Sequence, residues 1–394
     1  MLRVLVVSTL FPNRNRPVFG TFVERQTLGL AARDDVEVQI VVPRAIPPPP
    51  FDRHPRYAME AKLPEQELWH GLKLYRPRFH HLPRIGTRLD RAMMVRALLP
   101  LLREIRHHFA FDIIAAEYFF PDGPAVAKLG RMLNVPVSIK ARGSDINIWG
   151  KRPGIGAQVL EAGRLADGML AVSAEMKREM VALGMPEDKI RVHYTGVDRG
   201  LFHVRDRTVA KQKLRIVGPL IVTVAPLIER KGVDLVIAAL AEVPQAELVV
   251  LGAGPDEARL RAIADQAGIA DRVRLAGIQP RETVADWLAA ADVMALPSAS
   301  EGLANAWVEA LASGTPIVIA DVGGARELMT GAAAGRLVPR DAGAIADAIK
   351  ALLANPPGRS AVRQVVDNFS WEINAAILDD HLRALVAEWR KIAP

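Results

Sequence analysis

Asp292-Val293-Met294-Ala295-Leu296-Pro297-Ser298-Ala299-Ser300-Glu301-Gly302-Leu303-Ala304-Asn305-Ala306-Trp307-Val308-Glu309-Ala310-Leu311-Ala312-Ser313-Gly314-Thr315-Pro316 reads as a strand, a loop and a helix in succession. The strand is a short apolar run that stops at Pro297-Ser298, so the loop opens where a parallel strand ends. That edge of an α/β sheet is where ligands bind. A helix from about 304 to 312 presents unpaired N–H groups toward the loop, a ready place for an anion. Glu301 then falls in the mouth of a pocket and Glu309 two turns along the helix. Carboxylates accept hydrogen bonds from vicinal hydroxyls, so the pair can grip a sugar and a ribose with a phosphate between them. Two solvated glutamates on an amphipathic helix are the plainer reading of an isolated pair, and the surrounding residues decide between the two.

The composition widens this reading to the whole chain. At 394 residues, half of them apolar, the chain can bury large cores, and two domains are the natural division. Ala, Val, Leu and Ile dominate over aromatics, as parallel sheets covered by helices require. With no cysteine there is no disulfide, thiolate metal site or cysteine nucleophile, which fits a reducing, cytoplasmic setting. Met1–Ser8 is too short for a signal peptide and reads as a first buried strand. No apolar run approaches the roughly 18 residues that a membrane span needs. Residues 1–200 carry a net charge of +9 and residues 201–394 one of −2, so the first half attracts anions.

Strand and helix patterns alternate along both halves. The first has strand-like runs at 4–8, 36–42, 113–116, 135–140, 169–173 and 190–194, with helical patterns between them. The second has strands at 220–224, 247–251, 273–276, 293–296, 316–320 and 336–338. Repeated β-α order predicts two doubly wound, Rossmann-like parallel sheets facing each other across a cleft. The spacing places the boundary at 203/204, in a charged segment near 200–215 that lacks a strong period. A last helix, 371–391, is expected to pack back on the first domain, giving 1–203 with 371–394 and 204–370. The proline run 47–50 makes 46–64 a long surface loop.

Other strand ends carry further candidates. Arg230-Lys231-Gly232 follows the first strand of the second domain, where an ammonium joins helix N–H groups in holding a phosphate. Leu251-Gly252-Ala253-Gly254-Pro255 is a strand-to-helix turn without the last glycine of a dinucleotide fingerprint. Asp321-Val322-Gly323-Gly324-Ala325-Arg326-Glu327 repeats that pattern. In the first half, Gly20 precedes a helix and lets backbone approach a ligand closely. Arg142-Gly143-Ser144-Asp145 ends another strand; a surface salt bridge between Arg142 and Asp145 is its plainer reading.

Taken in order, these pieces resemble glycosyltransferase family 4, the retaining two-domain transferases of GT-B type, and look most like members that build bacterial extracellular polysaccharides. The matching residues are the Gly20 loop, Arg142-Gly143-Ser144-Asp145, Val172-Ser173, Gly196-Val197-Asp198, Arg230-Lys231-Gly232, Gly252-Ala253-Gly254-Pro255, Glu301 to Glu309, and Gly323-Gly324 with Glu327. The resemblance implies a UDP- or GDP-sugar donor, with no separate cofactor and no metal. It implies that Glu309 holds the ribose, Glu301 the sugar, and Lys231 with Arg230 the diphosphate. Gly302, Leu303, Gly20, Gly252, Gly254, Gly324 and Glu327 line the donor, and Glu117, Asp122, Arg142 and Asp145 stand on the acceptor side. The acceptor is a saccharide or lipid-linked saccharide. Two departures stand out. Pro226 occupies the place of an arginine five residues before the lysine, and Glu117–Gly123 has no histidine where many members carry one.

Two rivals remain: a nucleotide-sugar epimerase of similar shape, and a non-catalytic nucleotide-sugar binding or scaffold protein. The basic stretch 73–108 also has two readings. Met93, Met94, Leu98, Leu99 and Leu102 among five arginines either touch an anionic membrane at its inner face or form the core side of an amphipathic helix. Nucleic acid does not fit, because no binding module is present and no aromatics line the run.

Overall fold

Short β-branched and aliphatic runs bounded by turn residues become strands, and longer runs with apolar residues every three to four positions become the helices that cover them. A computed structural model describes residues 1–82 and 86–392. The chain divides into two compact units, Met1–Gly196 with Trp371–Pro394, and Val197–Ser370. The crossing is therefore at 196/197 rather than at 203/204.

In the first unit the strands are β1 (Leu2–Val7), β2 (Val36–Val41), β3 (Arg44–Ile46), β4 (Gln66–Trp69), β5 (Leu72–Tyr75), β6 (Arg78–His80), β7 (Ile113–Ala116), β8 (Val137–Ala141), β9 (Gly168–Ala171) and β10 (Ile190–Val192). Eight of them form one sheet in the order β10-β9-β8-β7-β1-β2-β5-β4, parallel except for the β4–β5 hairpin; β3 and β6 pair separately. In the second unit β11 (Leu220–Val224), β12 (Glu247–Leu251), β13 (Val273–Leu275), β14 (Val293–Leu296), β15 (Ile317–Ala320) and β16 (Gly335–Val338) are all parallel, ordered β13-β12-β11-β14-β15-β16. That is the doubly wound order whose direction reverses between the first and fourth strands. The reversal falls between β11 and β14 in the second unit, and between β1 and β7 in the first. Loops leaving these strands diverge and open a crevice, which fixes where each unit can hold a ligand.

One expectation about an irregular segment needs correction, and two further segments take definite form. The stretch 46–64 is not one loop: Pro55–Ala61 is helical, with proline at its first position, where the missing N–H has no intrahelical role. The segment near 200–215 contains the helix Arg207–Leu214, capped by Asp206, whose carboxylate accepts from Thr208 N (2.8 Å) and Val209 N (3.1 Å). None of its residues is buried, so it carries no apolar period. Arg207 (3.1 Å) and Lys211 (2.6 Å) tie it to Asp292 instead. Finally, Met94, Leu98 and Leu102 of the helix Asp90–His108 are fully buried and Met93 and Leu99 pack on the same core. The apolar face considered for a membrane is thus the core face of an amphipathic helix, although residues 83–85 of the basic stretch lie outside the described residues. Among the described residues no helix is long and apolar enough to cross a membrane.

The helix Trp371–Ile392 returns to the first unit. Leu378, Leu382 and Val386 enter the core formed by β1, β2 and the helix Thr21–Ala31, each buried side chain contributing about 1.5–3 kcal/mol. His381 is buried beside Ser138 Oγ (2.9 Å), and burial, with Arg191 and Lys140 adding, pushes it down to about 4 from 6.5. Between those values the unfolded chain binds a proton that the folded chain refuses. Stability from this group is therefore present above pH 6.5 and is lost as pH falls toward 4. The shift corresponds to about 3 kcal/mol. Urea melts of His381→Gln should show a loss between pH 7 and 4.5 that is about 2–3 kcal/mol smaller than in the parent. An equal loss in both would contradict a neutral buried imidazole.

Candidate functional site

In the second unit, four loops meet at the carboxyl ends of β11, β12, β14 and β15. Gly252 has φ +151°, and a Cβ there would lie 1.9 Å from Ala225 O; one on Gly254 would lie 2.2 Å from Leu227 O. Only glycine lets the β12 loop sit this close to the β11 loop. Ala299 N donates to Arg230 O (2.8 Å), joining the β11 and β14 loops, and Gly324 N donates to Gly302 O (2.8 Å), joining the β14 and β15 loops. The 225–232, 252–254, 297–303 and 321–324 segments are thus one backbone-linked rim.

Charged side chains concentrate on that rim. Lys231 Nζ donates to Glu301 Oε1, and Arg230 Nη1 stands 3.9 Å from Glu301 Oε2 while donating to Ser300 O. The Lys231 and Glu301 side chains are only 11% and 10% exposed, so this pair is held largely out of water. Glu309, on the helix Asn305–Ala312, accepts from Arg281 Nη2 at 3.0 Å. Ala304 caps that helix without a side-chain bond, leaving first-turn amides next to Gly302 and Leu303. Glu327 lies on the short helix Ala325–Leu328, half-buried. Two cations and one carboxylate therefore stand at the topological switch point, with a second carboxylate two turns away. Arg281 was invisible to motif reading, because it starts a helix 28 residues from its partner. The sequence signal was only a basic residue after Pro280.

In the first unit the corresponding loops follow β1, β7 and β8. Gly20 adopts φ +71°, and a Cβ there would stand 2.6 Å from Leu10 C, so the Gly20 turn lies directly on the backbone after β1. Glu117, Asp122, Arg142 and Asp145 come together here as a buried scaffold. Asp122 accepts from Thr9 N (2.9 Å), and Asp145 from Phe119 N (2.9 Å), Arg142 N (3.0 Å) and Gly143 N (2.8 Å). A surface salt bridge between Arg142 and Asp145 is not what forms. The Arg142 guanidinium pairs with Glu117 (2.5 Å), and Asp145 binds backbone amides. Burial raises Asp145 above the usual carboxylate range and, with Asp145 and Glu117 nearby, pushes Asp122 up to about 7.

Beneath these loops runs a polar chain that motif reading missed. Gln26 Nε2 donates to Glu117 Oε2 (2.6 Å), and Lys140 Nζ donates to Gln26 Oε1 (2.7 Å) and contacts His193 Nδ1 (2.8 Å). His193 Nε2 in turn reaches Asn374 O (2.9 Å) on the C-terminal helix. Burial drives Lys140 and His193 well below their ordinary values. Nε2 donates to the Asn374 carbonyl, which can only accept, and Nδ1 accepts from Lys140 Nζ, so His193 is neutral with its proton on Nε2. A lysine inside a strand and a histidine after another were the available signals, and neither sits in a motif.

The comparisons with known proteins agree with this geometry. The family model for glycosyl transferases group 1 matches residues 205–368, and that for Glycosyltransferase Family 4 matches residues 20–201. The chain belongs to the family 4 type of glycosyltransferase. The transferase is 27% identical over 287 residues to a protein of Bacillus subtilis named teichuronic acid biosynthesis glycosyltransferase TuaC, covering 66% of this chain and 67% of that one. It is 34% identical over 242 residues to the D-inositol 3-phosphate glycosyltransferase of Mycobacterium leprae, covering 57% and 55%. The aligned part thus spans just over half of the latter. Its fold is that of sucrose-phosphate synthase from Thermosynechococcus elongatus (TM-score 0.77, 20% identity, 98% of this chain and 100% of that one). Anabaena HepE in complex with UDP is similar (0.75, 18%, 98% and 100%). These are structures of GT-B type. Among the described residues of the transferase, no cluster of three or more metal-ligating side chains occurs.

Proposed function

We propose that this protein is a retaining glycosyltransferase that moves a sugar from a UDP- or GDP-sugar to a hydroxyl of a saccharide or lipid-linked saccharide in cell-surface polysaccharide assembly. The observation that carries this reading is Glu301 held against Lys231 and Arg230 at the β11/β14 switch point. The cations meet the diphosphate, whose charge grows as the glycosidic bond breaks, and the amides near Gly302 and Leu303 add to that field. Glu301 accepts from the sugar hydroxyls. Glu309, oriented by Arg281, accepts from the ribose. Arg230 stands close enough to Glu301 to supply the cation that Pro226 lacks. The departing diphosphate takes the proton of the attacking hydroxyl, so no separate general base is required. The name of TuaC supports a polysaccharide acceptor, and the HepE complexes with UDP and UDP-glucose support a uridine donor.

A melting-point and turnover screen against UDP-, GDP-, ADP- and dTDP-sugars with EDTA present tests the reading. The right nucleotide should stabilise by about 2.7 kcal/mol at a hundredfold excess over its Kd, and nucleoside diphosphate should be released without metal. Glu309→Gln should weaken nucleotide binding about 10- to 100-fold, the loss of charge-assisted hydrogen bonds. Stabilisation without release, even with saccharide and lipid acceptors supplied, would favour the non-catalytic binding protein. No stabilisation by any donor would sink the nucleotide-sugar assignment.

A further inference from the structure

A cavity of about 350 Å³ opens in the first unit at the β1 switch point, between the loop after β1, the β2–β3 connection and the helix Pro55–Ala61. Apolar walls come from Phe11 and Phe79, and three arginines line it, of which Arg76 is ion-paired with Glu67 at 2.7 Å. Arg44 and Arg76 are buried, at 5% and 0% exposure, and Arg16 stands at the surface, stacked on Phe19 with its guanidinium 3.6 Å from the ring centre. Among the described residues Arg44 donates only to carbonyls, those of Arg76 (2.9 Å), Glu60 (2.7 Å) and Leu63 (3.0 Å). Among the described residues neither Arg44 nor Arg16 has a carboxylate partner. Of the acids lining the cavity, Asp90 contacts His81 (2.8 Å) and Glu60 accepts from the Asn13 amide (3.2 Å). Arg44 Nη2 and Arg76 Nη1 are buried with no hydrogen-bond acceptor among the described residues. A buried donor left this way costs about 1–3 kcal/mol, more when charged. Burial and the neighbouring Arg78 and Arg76 push Arg44 down to about 10, against the opposing pull of the Glu65 and Glu60 carboxylates.

We propose that this cavity binds an oxyanion of the acceptor, a phosphate or a carboxylate, between Arg16, Arg44 and Arg76. Guanidinium groups donate and never accept, and their planar fork matches both oxyanions bidentately, so a cation is excluded and a charged acceptor group is held more strongly than a neutral hydroxyl. The Leu10-Phe11 backbone that walls the cavity is the one on which the Gly20 turn lies. An acceptor anchored by its anion would therefore hold its neutral hydroxyl next to the turn assigned to the donor diphosphate. The inference rests on the transferase reading for the word acceptor; the oxyanion site itself does not.

The test is titration of the full-length protein with inorganic phosphate and, separately, D-glucuronate at constant ionic strength. Glucose serves as the neutral control, and the preferred nucleoside diphosphate is kept saturating so that the donor site is filled. A saturable rise in melting point with phosphate or glucuronate, absent with glucose, is expected, and whichever ligand acts names the acceptor's anion. Arg44→Gln should weaken that response at least tenfold. Arg16→Gln, at the surface and harmless to folding, should weaken it in the same direction. Both variants should keep the parent's response to the nucleotide, which shows them folded. No saturable response to either oxyanion, or an unchanged response in both variants, overturns the proposal. A protein that answers to no nucleotide overturns the donor reading alone, and the oxyanion titration repeated without nucleotide then decides this one.

Discussion

Glu301→Gln lowers turnover about 100- to 1000-fold while nucleoside diphosphate binds as well as before or more tightly. The two halves of this expectation have separate causes. Glutamine keeps an oxygen to accept from Lys231, so the rim around Ser300–Leu303 stays in place and the variant folds. The carboxylate is lost, and with it, in the role proposed for Glu301, the charge-assisted hydrogen bonds to sugar hydroxyls that position the anomeric carbon; a preorganised polar contact at the reacting centre is worth that range of rate. Removing the negative charge leaves the Lys231 ammonium and the Arg230 guanidinium less neutralised, because Glu301 now shields both. Their pull on a diphosphate therefore rises. Steady-state kinetics for kcat and calorimetry for nucleotide affinity separate the effects. A rate within threefold of the parent would remove Glu301 from the chemistry, and weaker nucleotide binding would show that Glu301 holds the nucleotide itself.

Glu117→Ala destabilises the first unit by about 3–5 kcal/mol, a large share of the 5–15 kcal/mol that a domain has. Glu117 is 2% exposed and balances Arg142 directly, at 2.5 Å, while Gln26 bridges it to Lys140 by hydrogen bonds. Without it, the Arg142 guanidinium loses its ion pair in a site with no water to solvate it. If the loss comes from stranded charge, removing the partner as well must restore stability. Glu117→Ala with Arg142→Met should recover most of it, since replacing both members of a buried pair by apolar groups is close to neutral. Urea melts of the single and double variants check this. A double variant as unstable as the sum of its singles would mean that packing, not charge, dominates at Glu117.

The buried state of this scaffold changes the meaning of the acceptor-side residues. Asp122 and Asp145 hold the amides of Thr9, Phe119, Arg142 and Gly143, which fix the loops after β1, β7 and β8. Their motif position was legible; their role as loop anchors was not, because a carboxylate that binds an amide and one that binds a sugar look alike in sequence. The same limit applied to Arg207–Leu214, which rests on a cap and ion pairs and so leaves no hydrophobic period. Arg44 and Arg76 belong to no motif: Arg44 precedes the proline run 47–50, and Arg76 is one of many basic residues in 73–108.

The sequence by itself determined the alternation of strand and helix, the two doubly wound sheets, the returning C-terminal helix and the Glu301–Glu309 junction. These rest on local causes: apolar period, strand length, prolines and glycines at turns, each read within a dozen residues. Only the tertiary structure decided which residues meet. Lys231 reaches Glu301 across 70 positions, Arg281 reaches Glu309 across 28, and Lys140 reaches His193 across 53. Parallel strands place their carboxyl ends together through long crossovers, so neighbours in the site are distant in the chain. Strand order, which sets those neighbours, is fixed by packing of the whole sheet rather than by any local run.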